Sequence, residues 1–118
     1  MIKFEINQKG GRIRLGLALK KLEKVISQEF KKDGIISIAI VNSAESRKLN
    51  KGYRGKNNPA DVLTFTYKDD DSLGEIILSY QEVKKRAQKE KKKIKEVALF
   101  LIVHGICHIM GYSHKAKK

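Results

Sequence analysis

The chain has 118 residues, 41% of them hydrophobic and 33% charged, so it is apolar enough for one compact domain and too apolar for wholesale disorder. Lys and Arg outnumber Asp and Glu by 26 to 13, a formal charge of +13, and a field of that sign attracts polyanions such as RNA. The single cysteine, Cys107, excludes an intrachain disulfide, and the longest apolar run, Val97 to Val103, is far below the roughly 20 residues that span a bilayer. No cationic segment followed by an apolar stretch opens the chain, so no secretion signal is visible and a cytoplasmic location is expected.

Ile2, Phe4 and Ile6 alternate with Lys3 and Glu5, which predicts a half-buried strand stopped by Gly10 and Gly11. Leu15, Leu19, Leu22, Ile26 and Phe30 then recur at steps of four, three, four and four, the period of one helix face, and the helix is expected to end near Asp33 and Gly34. Ile35 to Val41 is a nearly unbroken β-branched run, as a central strand buried on both faces requires. Together these form a β-α-β crossover.

Asn42 with Glu45 three residues on predicts a short helix ending near Asn50, and Lys51 to Ala60, with the only proline at Pro59, reads as a surface loop. Val62 to Tyr67 and Leu73 to Ser79 predict an antiparallel hairpin across the polar segment 68–72. Ser79 and Glu82 have the spacing of a capping box opening a further helix. No apolar residue lies between Ala87 and Ile94, so that helix ends or bends there. From Ile94 the stripe resumes with Val97, Ala98, Leu101 and Ile102, while Leu99, Phe100 and Val103 make the helix apolar nearly all round, as a buried core helix would be. The outline is one α+β domain over residues 1–118, with a small mixed sheet and flanking helices.

All three histidines, His104, His108 and His114, lie near the C-terminus. His104 and His108 are four apart on the predicted helix and project from one face within reach of one ion. Gly111 stands where a left-handed residue would end the helix and turn His114 back toward that ion. Three imidazoles without a fourth protein ligand leave a position for water, the arrangement of catalytic zinc, whose bound water has its pKa lowered toward about 7. Zinc is therefore expected, although three neutral imidazoles also accept other divalent transition metals. Cys107 beside this seam is expected to be a small buried thiol rather than a ligand. The ligand spacing is that of the metzincin peptidases, yet their general-base Glu is replaced here by Gly105, which argues against peptide hydrolysis.

The segment His104-Gly105-x-x-His108-x-x-Gly111-Tyr112-x-His114 resembles the C-terminal motif of the YbeY family. Leu49-Asn50-x-x-Tyr53-Arg54 with Pro59-x-Asp61-Val62-Leu63-Thr64-Phe65, and Leu73-Gly74-Glu75-Ile76, resemble two further blocks of that family in the same order. Ala60 stands where the family usually has Thr and Ser113 where it usually has Asp, which removes a carboxylate beside the third ligand.

The resemblance implies a zinc-dependent, single-strand-specific endoribonuclease acting in ribosomal RNA maturation, notably 16S rRNA processing, and in ribosome quality control. It also implies a four-stranded sheet, with the C-terminal helix bearing metal as in zincins. Partners implied are a ribosomal RNA precursor and small-subunit components of the ribosome, with no membrane and no DNA. Arg54 matches an arginine implicated in activity, and a guanidinium there could hold a phosphate in two-point contact. Catalysis is thus expected from Arg54 and His104, with Asp61 and Glu75 as possible proton acceptors or partners of the ligands. The competing reading is a non-catalytic ribosome-assembly factor in which the metal is structural and the basic surface docks on RNA.

Overall fold

The computed structural model describes residues 1–67 and 71–111. Among them are strands β1 (Ile2–Gln8), β2 (Gly34–Val41), β3 (Val62–Thr66) and β4 (Ser72–Ser79), and helices α1 (Gly16–Glu29), α2 (Ser43–Arg54), α3 (Tyr80–Glu90) and α4 (Ile94–Ile109). The strands form one mixed sheet in the order β1-β2-β4-β3, parallel except for the antiparallel β3–β4 pair. This is the expected α+β class.

β2 lies at the centre because its β-branched run can be covered on both sides, whereas the edge strand β1 leaves Ile6 exposed. Ile36, Ile38 and Ile40 of β2 and Ile76 and Leu78 of β4 enter the main core, with Leu19 and Ile26 of α1, Val83 of α3 and Ile102 and Ile106 of α4. α2 packs on the other face. There Leu63 and Ile77, opposite one another in the β3–β4 ladder, are buried, and Tyr53 meets Phe65 edge-on with ring centroids 4.9 Å apart.

Several boundaries differ from the sequence reading, each for a local reason. α1 stops at Glu29 rather than near Gly34, because Phe30 is already extended (φ −110°, ψ 121°) and packs partly buried against the core. α2 starts as expected, with Asn42 Oδ1 accepting from the Glu45 N–H at 2.8 Å, but runs past Asn50 to Arg54 and ends at left-handed Gly55. Residues 51–54 are therefore helical, and Arg54 sits on a helix's last turn.

Ser79 precedes α3 without capping it: the Ser43 hydroxyl donates to Glu82 Oε2 at 3.0 Å, which ties the start of α2 to α3 instead. The reciprocal bond of a capping box appears at α4, where the Lys93 N–H donates to Glu96 Oε1 at 3.0 Å. α3 ends inside the lysine-rich stretch, at left-handed Lys91. α4 is not buried all round, since Phe100 and Val103 lie exposed on the side away from the sheet.

Candidate functional site

A cleft of about 680 Å³ runs along the outer edge of β3. Tyr53 and Arg54 line it from the end of α2, Asp61 and all of β3 form its floor, and His104 and His108 reach it from α4. Three segments of the chain thus meet at one place.

The α2 side is fixed by two buried polar residues one turn apart. Ser46 Oγ donates to the Ala60 carbonyl at 2.8 Å and accepts from the Ala60 N–H at 3.0 Å. Asn50 Nδ2 donates to the Asn58 carbonyl at 2.8 Å. These three bonds satisfy backbone groups of the loop between α2 and β3, and so hold Arg54 and Asp61 at a set distance along the cleft. Sequence reasoning read Asn50 as a helix end and as part of a motif, and did not single out Ser46. Their four-residue spacing on a helix just before a polar loop was the available signal.

On the opposite wall, the His104 and His108 rings lie with centroids 4.8 Å apart and planes at 74°. The four-residue spacing has put both imidazoles on one face, as one ion requires. Gly105, between them, faces inward. A Cβ there would lie 2.9 Å from Ile76 Cγ1 and 3.1 Å from Thr64 Oγ1, so only glycine lets α4 approach the sheet this closely. The residue that distinguishes this chain from the peptidase motif is thus a packing requirement. A Glu at 105 would point into the core rather than into the cleft.

Gly111 follows α4 with φ 87°, the left-handed turn expected of it, and its N–H donates to the His108 carbonyl at 3.1 Å. His114, together with Tyr112 and Ser113, lies outside the described residues. Among the described residues no group of three His, Cys, Asp or Glu side chains surrounds a common point. Cys107, expected to be buried, is half-buried and does not line the cleft.

Asp61 does not simply cap a turn. Its Oδ2 accepts from Arg86 Nη1 at 2.8 Å, and Arg86 Nε also donates to Glu90 Oε2 at 2.9 Å. The Asp61 bond first, and then the Glu90 bond, raise the Arg86 pKa, so the guanidinium stays charged. Arg86 was not among the sequence candidates, and no local pattern links it to a carboxylate 25 residues away. Glu75 is not in the cleft; its Oε1 accepts from the Tyr67 hydroxyl at 2.9 Å. The structure therefore brings together Arg54, Asp61, His104 and His108, and leaves Glu75 apart.

The floor has a further property. Tyr67 N–H donates to the Leu73 carbonyl and Ser79 N–H to the Asp61 carbonyl, so in this antiparallel ladder Leu63 and Phe65 turn their backbone groups toward β4. Val62, Thr64 and Thr66 must turn theirs outward, into the cleft. Among the described residues, no hydrogen bond from another element closes that edge.

Fold and cleft define a small α+β protein whose C-terminal core helix presents two histidines over an open edge strand. Residues 4–118 match the family model of Endoribonuclease YbeY. The chain belongs to the YbeY family. Endoribonuclease YbeY of Malacoplasma penetrans is 36% identical over 104 residues, which cover 82% of this chain and 69% of the relative. Endoribonuclease YbeY of Bacillus licheniformis is 32% identical, with 98% of this chain and 84% of the relative covered. The solution structure of TM1509 from Thermotoga maritima superposes with a TM-score of 0.71 at 31% identity, covering 94% of this chain and 74% of that one.

Proposed function

We propose that this chain is a zinc-dependent endoribonuclease that hydrolyses phosphodiester bonds in single-stranded RNA. Its substrate is a ribosomal RNA precursor, its setting is 16S rRNA processing and ribosome quality control in the cytoplasm, and small-subunit components are its partners. The observation that carries the reading is one cleft holding two histidines on one helix face and an arginine on the opposite wall, in a family named for endoribonuclease activity.

The donor set fits zinc. Two imidazoles share a face, and the left-handed turn at Gly111 comes where a third ligand from the following residues would have to be redirected. His104, His108 and His114 would hold the ion, which when bound supplies a Lewis acid and a water of lowered pKa.

The protein's own groups bind and orient. Arg54, exposed at the end of α2, offers a planar fork to two oxygens of one phosphate and offsets charge that develops there. Asp61, held by Arg86, keeps a carboxylate at the same cleft, where it can accept a proton or a ribose hydroxyl. Gly105 keeps any carboxylate from between the histidines. The lysine excess holds RNA through its phosphates, so binding weakens as salt rises.

The test is metal analysis of purified protein alongside cleavage of a precursor ribosomal RNA fragment. One zinc per chain is expected, with cleavage abolished by a chelator and restored by zinc. Arg54→Ala should retain the metal and lose on the order of a hundredfold in kcat/KM. Full cleavage by metal-free protein would overturn the reading. A metallated protein with no turnover on any RNA would leave the assembly-factor alternative.

A further inference from the structure

Phe100 lies one turn before His104 on α4 and is 60% exposed, although the rest of this helix is largely given to the core. Its ring is stacked with the His104 imidazole, centroids 6.4 Å apart and planes 16° apart, so a flat aromatic surface extends outward from the cleft. The Arg86 guanidinium carbon is 5.6 Å from the Phe100 centroid and is fixed by its bonds to Asp61 and Glu90. Around this ring is a recess of about 420 Å³ lined also by Lys92, Glu96 and Val97.

The recess therefore has an aromatic wall, donors on Arg86 and Lys92, and acceptors on Glu90 and Glu96. Few ligands suit that combination. A phosphate would meet two carboxylates, and an aliphatic side chain would take the Arg86–Glu90–Lys92 ion pairs out of water while offering them no hydrogen bond. A nucleobase has an apolar face for the ring and both donors and acceptors on its edge. Phe100 is four residues from His104, about 6 Å along the helix axis, so a ligand can touch both.

We propose that this recess is a nucleobase subsite of the cleft: the base beside the phosphodiester held by Arg54 and the histidines stacks on Phe100 while the charged groups face its edge. The inference rests on the endoribonuclease reading and extends it to a position the metal does not touch. Stacking accepts every base, so the subsite demands a base without demanding its identity.

The test uses zinc-loaded protein and a single-stranded oligoribonucleotide with 2-aminopurine walked along it, reading fluorescence, affinity and cleavage in the same samples. Wild type should quench the fluorophore at one position. Phe100→Ala should release that quench and bind about tenfold more weakly, and Phe100→Trp should restore both. An abasic nucleotide at that position should cost wild type the same factor and cost Phe100→Ala nothing further.

Wild-type affinity in Phe100→Ala, or penalties that multiply, would overturn the subsite. Such a result with cleavage intact would leave the hydrolase reading standing. Quenching and its loss in Phe100→Ala without any cleavage would keep the subsite and remove the hydrolase reading. Failure of wild type to bind any oligonucleotide would overturn both and leave the recess to a protein partner.

Discussion

The two edges of the sheet are treated in opposite ways. Along β1, the helix that packs beside it takes up three of the outward backbone groups: the Ser27 hydroxyl accepts from the Ile2 N–H and donates to the Ile2 carbonyl, both at 3.0 Å, and Glu23 Oε2 accepts from the Phe4 N–H at 2.7 Å. Gln8 is paired in both directions with the backbone of Ile13. Along β3 the outward groups of Val62, Thr64 and Thr66 meet the cleft instead. An exposed edge invites unwanted pairing, and under the proposed function the edge left open beside the histidines and Arg54 is the one that meets substrate.

The largest expected effect tests how α4 reaches the open edge. Gly105→Glu places a side chain where Ile76 and Thr64 already stand and buries a carboxylate there, so it should cost about 3 kcal/mol or more of unfolding free energy in a urea titration. A variant as stable as wild type would mean that α4 does not press on the sheet as described. It would also reopen the peptidase comparison.

Glu23→Ala addresses the sealed edge. It leaves the Phe4 N–H without its carboxylate, and stability should fall by about 1–2 kcal/mol while RNA cleavage per folded molecule stays at the wild-type rate. Loss of cleavage in a folded sample would break the contrast between the edges.

Arg86→Met gives the smallest change in stability, within about 1 kcal/mol, because the pair with Asp61 is about one-third exposed on each side. Cleavage should fall several-fold, since Asp61 loses the group that holds it at the cleft. The raised Arg86 pKa fixes the pH response. Its stabilisation is fully present below the ordinary arginine pKa and is lost only in strongly alkaline solution as pH passes the raised value, so pH profiles between 6 and 9 should not differ through Arg86.

Where sequence and structure part, the reasons are specific. The central strand was legible because a β-branched run of that length has no other comfortable place, and the histidine seam because a four-residue step on a helix leaves no choice of face. Helix ends were less so. Gly52 and the polar residues around it resemble a loop, yet Asn50 and Ser46 pin the following segment and let α2 continue to the left-handed Gly55. In α4 the apolar residues surround the axis, so periodicity could not say that Phe100 would be left facing water. The Asp61–Arg86 pair joins a loop to α3 and exists only once the sheet has formed. The third proposed ligand, His114, rests on spacing and family resemblance.

The most direct measurement is zinc content and RNA cleavage of His108→Ala beside wild type. His108 is exposed and outside the core, so the variant should still fold, although it loses the stabilisation that a bound zinc adds to the native state. The expected result is a folded variant that no longer retains zinc and cleaves single-stranded RNA about a hundredfold more slowly or worse, as when a metal site is dismantled. A folded, zinc-free His108→Ala protein that cleaves at the wild-type rate would contradict it.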